Sequence, residues 1–460
     1  SPRSASGRRV VAGKRTRPDE TKNCVRKLLK REISRAGNLA FNRTNSQEKF
    51  WNFHLQEEFD THDPKAHHFL KLPFLKKRSR IVEIGAARDT VFALTHSGIC
   101  AAFSRASFLT VVGAVKSVPA YFVFGDSVLD VGENNYVPNA EYHANFPPYG
   151  ETFFHRPTGR FSNGRNLGDF FAQALALPFA PPYLQPNATF NKGINFASGG
   201  SGVLNTTNAG LAIPLGVQLK QYQNATAVLV EELGVVGAKN LISKALFLIA
   251  SGSNDLTAFL ISLATASPAE QKQYNATQYI SSMIDGYTTV LEMLYASGAR
   301  KVVLFGVGLT GCSPSVRSAN NSACVNPGNE LALGYNEGLK LVVDGFHTAV
   351  PDFHLVLTDS YDFISDMVKN PTSFGLKNVT GGCCGAGFLH AQFQCGTKVP
   401  ANFPGIKQAL CKHPSTYLYW DFVHLTEHVD KILFGAFWDG NSSYTYPINV
   451  RSLALLETKS

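Results

Sequence analysis

Residues Ala120–Tyr136 read AYFVFGDSVLDVGENNY, and the rest of the chain is organised around them. The run Tyr121–Phe124 is short, apolar and rich in β-formers, and it stops at Gly125-Asp126-Ser127. Such a run, closed by glycine, predicts a strand buried on both faces. A serine just past the carboxyl end of that strand stands where open α/β sheets place their ligands. Its hydroxyl can attack a carbonyl if a base takes its proton and donors receive the oxyanion. Gly-Asp-Ser is also an ordinary turn, so the chemistry needs partners elsewhere in the chain.

The 460 residues are 44% hydrophobic and 17% charged, a globular composition long enough for one large α/β domain or two smaller ones. The formal net charge of +9 is unevenly spread. Residues 1–118 carry 23 Lys/Arg against 10 Asp/Glu, whereas residues 119–460 carry 20 against 24. The basic character belongs to a leader, and a nucleic-acid-binding reading of the whole protein loses its main support.

Cys24 and Cys100 lie in that leader; Cys312, Cys324, Cys383, Cys384, Cys395 and Cys411 fall in the main domain. Six cysteines clustered in loop-like sequence suit up to three disulfides, with fifteen possible pairings. Cys312 and Cys324 bracket a short loop containing Ser, Asn and Pro, and make a natural local pair. A zinc site is the rival, but neither a C-x-x-C pair nor His/Cys ligand spacing supports it. In the main domain, Asn-x-Ser/Thr sequons begin at Asn187, Asn205, Asn224, Asn275, Asn320, Asn378 and Asn441. Together they favour an oxidising, secretory history and an extracellular location.

Residues 1–80 are basic, with few sustained apolar faces, and read as a solvated arm. Ile81–Phe103 alternates like a small hairpin and resembles one repeat of a β-propeller, although a single blade cannot bury its own faces. The leader is either an added segment with its own role or foreign sequence; a chain opening at Ser1 rather than Met favours the second. Ser107–Val115 has the length of a signal-peptide core but lies far from the N-terminus. No segment reaches the roughly twenty apolar residues of a membrane span.

From Val118 short apolar runs alternate with longer amphipathic stretches. The expected strands are Tyr121–Gly125, Ile194–Ala197, Ala245–Ala250, Lys301–Phe305 and Phe353–Leu357. Asn166–Leu177, Thr277–Ala296 and Asn329–His347 have helical spacing. Strands separated by helices indicate a mostly parallel sheet covered on both faces. Asn134–Phe161 and Pro371–Tyr417, rich in Pro, Gly, Asn and Cys, read as loops bordering a site.

Three further stretches can serve Ser127. In Ile194–Leu204, INFASGGSGVL, a strand runs into Gly199-Gly200, where backbone N–H groups can approach a ligand; alone it is a tight turn. Ala245–Leu256, ALFLIASGSNDL, ends a strand near Asn254, whose amide can donate to an oxyanion or merely cap a helix. Tyr419–His428, YWDFVHLTEH, places Asp421 and His424 three apart, so one turn points both the same way. Such an aspartate can orient an imidazole whose other nitrogen deprotonates serine. His143, His347 and His354 have no comparable company.

The blocks run in the order Ser, Gly, Asn, Asp-x-x-His, with no G-x-S-x-G elbow. On these blocks the chain resembles the plant GDSL esterase/lipase family of the SGNH hydrolase superfamily, over about residues 118–455. The resemblance extends to Asn145–Tyr149 (NFPPY), Arg156–Arg165 (RPTGRFSNGR), Gly298–Cys312 (GARKVVLFGVGLTGC), Asn378–Gly387 (NVTGGCCGAG) and Ser443–Val450 (SYTYPINV). It implies a three-layer α/β/α sandwich with a mostly parallel, five-stranded, flavodoxin-like sheet. It also implies Ser127 as nucleophile, His424 as base and Asp421 as its orienter. The Gly199 N–H, with Gly200 the alternative register, the Asn254 side chain and the Ser127 N–H would form the oxyanion hole.

Val128-Leu129, Glu133 and Leu425 depart from the family pattern, and the leader has no counterpart in it. The expectation is a monomeric carboxylic ester hydrolase, without metal or organic cofactor, acting on small or polymer-bound acyl esters. The rival readings are acyl transfer from the same site and a non-catalytic binding protein.

Overall fold

Five short, mainly apolar and mostly buried runs make the centre of the larger unit: β1 (Tyr121–Gly125), β2 (Gly193–Asn195), β3 (Leu246–Ala250), β4 (Lys301–Phe305) and β5 (His354–Thr358). A computed structural model describes residues 118–458, and between residues 81 and 104 the backbone of three further strands. The five strands pair in parallel in the order β2-β1-β3-β4-β5. That order reverses between β1 and β3, which makes the gap beyond their carboxyl ends the topological switch point.

Alternation along the strands separates two cores. Phe122 and Phe124 of β1, with Phe247 and Ile249 of β3, face one layer. Helices α2 (Leu215–Lys244), α3 (Ser253–Thr265), α4 (Ala276–Ala296) and α5 (Asn326–Ala349) cover it. Tyr121 and Val123, with Leu246 and Leu248, face the other. There α1 (Leu167–Ala174), α6 (Ser360–Lys369), α7 (Glu427–Asp439) and α8 (Val450–Leu455) pack. The result is the expected α/β/α arrangement.

The sheet has six strands rather than five. Thr445–Tyr446 adds an antiparallel edge strand beside β5. Two residues are too few for a hydrophobic period to register, and a Thr-Tyr pair reads equally well as loop. The longest helix, α2, carries no clear apolar period and bends at Gly234, whose φ is +72°. It lies outside the helices expected from spacing for that reason.

Pro371–Tyr417 is not wholly loop. Asn378–Gly382 pairs in parallel with Tyr417–Tyr419, and Cys384–Ala386 antiparallel with Gln408–Leu410. Three disulfides form, Cys312–Cys324, Cys383–Cys411 and Cys384–Cys395, so the adjacent cysteines take different partners and none of the six is left for zinc.

The chain divides into two units, Ser1–Ala114 and Val115–Ser460. In the first, Ile81–Ala87, Thr90–Thr95 and Cys100–Ser104 form an antiparallel three-stranded meander, one strand more than a hairpin. The basic arm and the apolar stretch Ser107–Val115 lie outside the described residues. Among the described residues no helix is long and apolar enough to cross a membrane.

Candidate active site

Gly125 ends β1 at φ +132°, and a Cβ there would stand 1.9 Å from the Ala250 carbonyl oxygen of β3. Only glycine allows β1 to lie that close while turning sharply. Buried Gln218 of α2 then pins the peptide, its Oε1 accepting from the Gly125 N–H and its Nε2 donating to the Gly125 carbonyl, both at 2.8 Å. Asp126 folds beneath the turn and accepts from the Val128 N–H at 3.0 Å. Burial pushes its carboxyl up to about 7. Ser127 is thereby lifted out of the core and is half-buried.

An imidazole reaches Ser127 from 297 residues later. His424 Nε2 stands 2.8 Å from Ser127 Oγ, and its Nδ1 lies 2.8 Å from Asp421 Oδ2. Asp421 is fully buried and also accepts from the backbone N–H groups of Val423 and His424, at 2.9 and 2.8 Å. Burial opposes its charge, but His424 and these N–H donors outweigh it and hold the carboxyl below the usual aspartate range. The Trp420 N–H donates to the His424 carbonyl at 2.7 Å and closes the loop on itself. Phe161 lies against the imidazole, with ring centroids 4.8 Å apart.

The two segments expected to serve an oxyanion follow the neighbouring strands, β2 and β3. Asn254 sits in the first turn of α3 and is half-buried. One of its Nδ2 hydrogens goes to the Ser201 carbonyl at 2.9 Å, which leaves the second for a ligand. The Gly199 N–H does not fill the place expected of it. It donates to Asp130 Oδ2 at 2.8 Å, while Asn134 Nδ2 holds the Gly199 carbonyl at 2.9 Å. With both ends committed inward, Gly199 cannot turn its N–H to a substrate.

What Gly199 supplies is room. A Cβ on it would meet the Phe161 ring at 2.5 Å, the same ring that backs His424. The next residue, Gly200, adopts φ +85°, and its N–H has no acceptor among the described residues. The Ser127 N–H is free in the same sense.

Sequence reasoning missed Gln218, Asp130 and Phe161 as parts of this arrangement. Asp130 accepts from the Gly132, Glu133 and Gly199 N–H groups, and burial raises its carboxyl to about 6. Nothing in its local sequence distinguishes it from a turn aspartate. Phe161 was visible only as one letter of RPTGRFSNGR. His143, His347 and His354 are not brought to the site; His347 Nε2, for example, bonds the Leu355 carbonyl.

A cleft of about 490 Å³ opens alongside α3. Its lining includes Thr207, Phe259, Ser262, Tyr274, Gln278 and Tyr279, and no lining residue carries a formal charge. One wall follows the Gly199–Gly202 turn in sequence, another belongs to α3, and a third runs from Gln273 into α4.

A serine, histidine and aspartate joined in line at the switch point of a flavodoxin-ordered sheet define the chemistry class of a serine hydrolase. Comparison with known proteins gives the particular family. Residues 121–437 match the family described as GDSL-like Lipase/Acylhydrolase. GDSL esterase/lipase 6 of Arabidopsis thaliana is 35% identical over 350 residues, covering 74% of this chain and 91% of that protein. The GDSL lipase of Tanacetum cinerariifolium is 34% identical over 341 residues, covering 74% and 88%. GDSL esterase/lipase 5 of Arabidopsis thaliana is 34% identical over 348 residues, with the same two shares. The chain belongs to the GDSL esterase/lipase family and is a carboxylic ester hydrolase. Residues 38–115 match a second family, described as Domain of unknown function (DUF7899).

Proposed function

We propose that the protein cleaves its ester through an acyl-enzyme on Ser127. The supporting observation is the line from Asp421 Oδ2 through His424 to Ser127 Oγ, two contacts of 2.8 Å. His424 Nε2 takes the hydroxyl proton as Oγ attacks the ester carbonyl. The oxyanion is received by the Gly200 and Ser127 N–H groups and the Asn254 amide, with Gly200 in place of Gly199. The imidazolium returns its proton to the departing alkoxide, and the alcohol leaves. Water, deprotonated by the same imidazole, then releases the carboxylic acid and regenerates the serine.

The catalytic unit proposed is 118–455. An extracellular location is supported by the three disulfides and by the exposure of six sequon asparagines: Asn187, Asn205, Asn224, Asn275, Asn320 and Asn441. Asn378 is half-buried and accepts from the Thr380 and Gly381 N–H groups.

The test is covalent labelling with a fluorophosphonate alongside p-nitrophenyl butyrate turnover. Wild type labels at Ser127, and Ser127→Ala loses both label and turnover, by roughly 10⁴-fold or more. A label that survives the substitution refutes the assignment. Product analysis with an added alcohol separates hydrolysis from acyl transfer.

A further inference from the structure

Asp421 has one more partner, and it comes from neither its own loop nor the sheet. The hydroxyl of Tyr149 donates to Asp421 Oδ2 at 2.8 Å, across 272 residues of sequence. This is the same carboxylate oxygen that faces His424 Nδ1. Tyr149 is 1% exposed and ends the NFPPY segment. Its ring is wedged edge-to-face among Phe146, Phe161 and Trp420, at 5.5, 6.4 and 6.1 Å between centroids. These rings belong to a small core of their own, shared with Cys383, Cys384 and Cys395.

A buried phenol that serves packing alone is usually a phenylalanine; a hydroxyl aimed at a carboxylate in a dry site does something more. Burial and the Asp421 charge hold the Tyr149 hydroxyl well above ordinary phenol, so it remains a donor across any working pH. We propose that Tyr149 is a positioning residue for the His–Asp pair: it fixes the Asp421 carboxylate and draws off part of its charge, and so sets how firmly His424 holds a proton. The proposal rests on the reading of His424 as the base.

Few groups compete for this role. Asp421 faces His424 and Tyr149, while His424 faces Asp421 and, from the Ser127 turn, Asp126. Among the described residues, no lysine or arginine forms an ion pair with the Asp421 carboxyl, and none is among the main influences on it. Without the phenol, a fuller carboxylate charge holds the imidazolium proton more tightly, and the acid limb of activity moves to higher pH. A stronger phenol donor moves the limb the other way. Opposite movements from two changes of nearly equal shape are not what a packing residue produces.

The experiment uses the full chain as wild type, Tyr149→Phe, and a third protein with 3-fluorotyrosine placed at 149 by codon suppression. Turnover of p-nitrophenyl acetate is followed from pH 5 to 9, active sites are counted with a fluorophosphonate, and the downfield proton of the His424–Asp421 hydrogen bond is followed by NMR. Tyr149→Phe is expected to lower kcat on the order of tenfold per labelled site, leaving KM within about twofold. Its acid limb shifts to higher pH, the fluorinated protein's shifts to lower pH, and the downfield resonance moves in both. Should Tyr149→Phe fail to fold, the fluorinated protein alone decides through the direction of its limb and resonance. The proposal is overturned if kcat per labelled site, pH limb and resonance all match wild type, or if only the melting temperature and labelled fraction fall. Failure of the underlying hydrolase reading looks different: wild type itself neither labels at Ser127 nor turns over the ester.

Discussion

The two ends of the Ser127–His424 contact are held by unlike means. Ser127 is held by regular structure: β1 between β2 and β3, Gly125 against Ala250, and Gln218 clasping the turn. His424 stands in a loop whose supports are aromatic rings, the buried Tyr149 hydroxyl and a disulfide-tied segment. There the Cys383 and Cys384 N–H groups bond the Tyr419 and Trp420 carbonyls, at 3.0 and 2.7 Å. The sheet places Ser127 with obligatory backbone pairing, whereas His424, between the short strand Tyr417–Tyr419 and the start of α7, depends more on cross-links and side-chain packing. The Ser127 end should therefore fail only with the whole fold, and the His424 end should fail by itself.

The hardest way to break that contrast is at Gly125. Gly125→Ala drives a methyl into the Ala250 carbonyl at a positive φ, and strain plus overpacking cost about 3–6 kcal/mol. Urea unfolding should show a lower midpoint, and activity should track the folded fraction. If instead the fold is intact and only activity falls, the sheet-held picture of Ser127 is wrong.

Breaking Cys383–Cys411 with paired serine substitutions should cost about 3–4 kcal/mol from the 28-residue separation. Here activity should fall under mild denaturant before far-UV circular dichroism does, because the His424 loop loosens first. Coincident transitions would mean that the base is held no more locally than the nucleophile.

The smallest effect lies just past the Ser127 turn. Burial pushes the Glu133 carboxyl up to about 8; it accepts from the Leu184 N–H and from Gln221 Nε2. Its folded value lies above the unfolded one of 4.5, so the folded state keeps a proton that the unfolded chain releases. Stability from this group is present at low pH and is lost as pH rises from about 4.5 towards 8. Glu133→Gln, which stays neutral and can reach the unpartnered Gln221 Oε1, should flatten that decline. An unchanged slope of stability against pH would exclude Glu133 as its source.

Much of this was legible beforehand, because five mainly apolar strand runs and the Asp-x-x-His pair are local patterns. Tyr121–Gly125 and Lys301–Phe305 appear with the bounds read from the letters. Two contributions were not legible. Thr445–Tyr446 becomes a strand only because β5 offers an open edge. Gly199 looks like an oxyanion donor in sequence, but Asp130, 69 residues earlier, takes its N–H, which is why the proposed hole uses Gly200. Hydrogen-bond competition across such distances leaves no trace in a local window.

The order of the chemical groups, their residue types and the alternation of strands with helices belong to the sequence alone, since periodicity and glycine placement act within a few residues. Which N–H remains free, which cysteine meets which, and which phenol touches Asp421 were decided by tertiary structure. Those outcomes depend on atoms hundreds of residues apart being packed into one dry volume, where each polar group must find a partner that folding, and not sequence proximity, brings within reach.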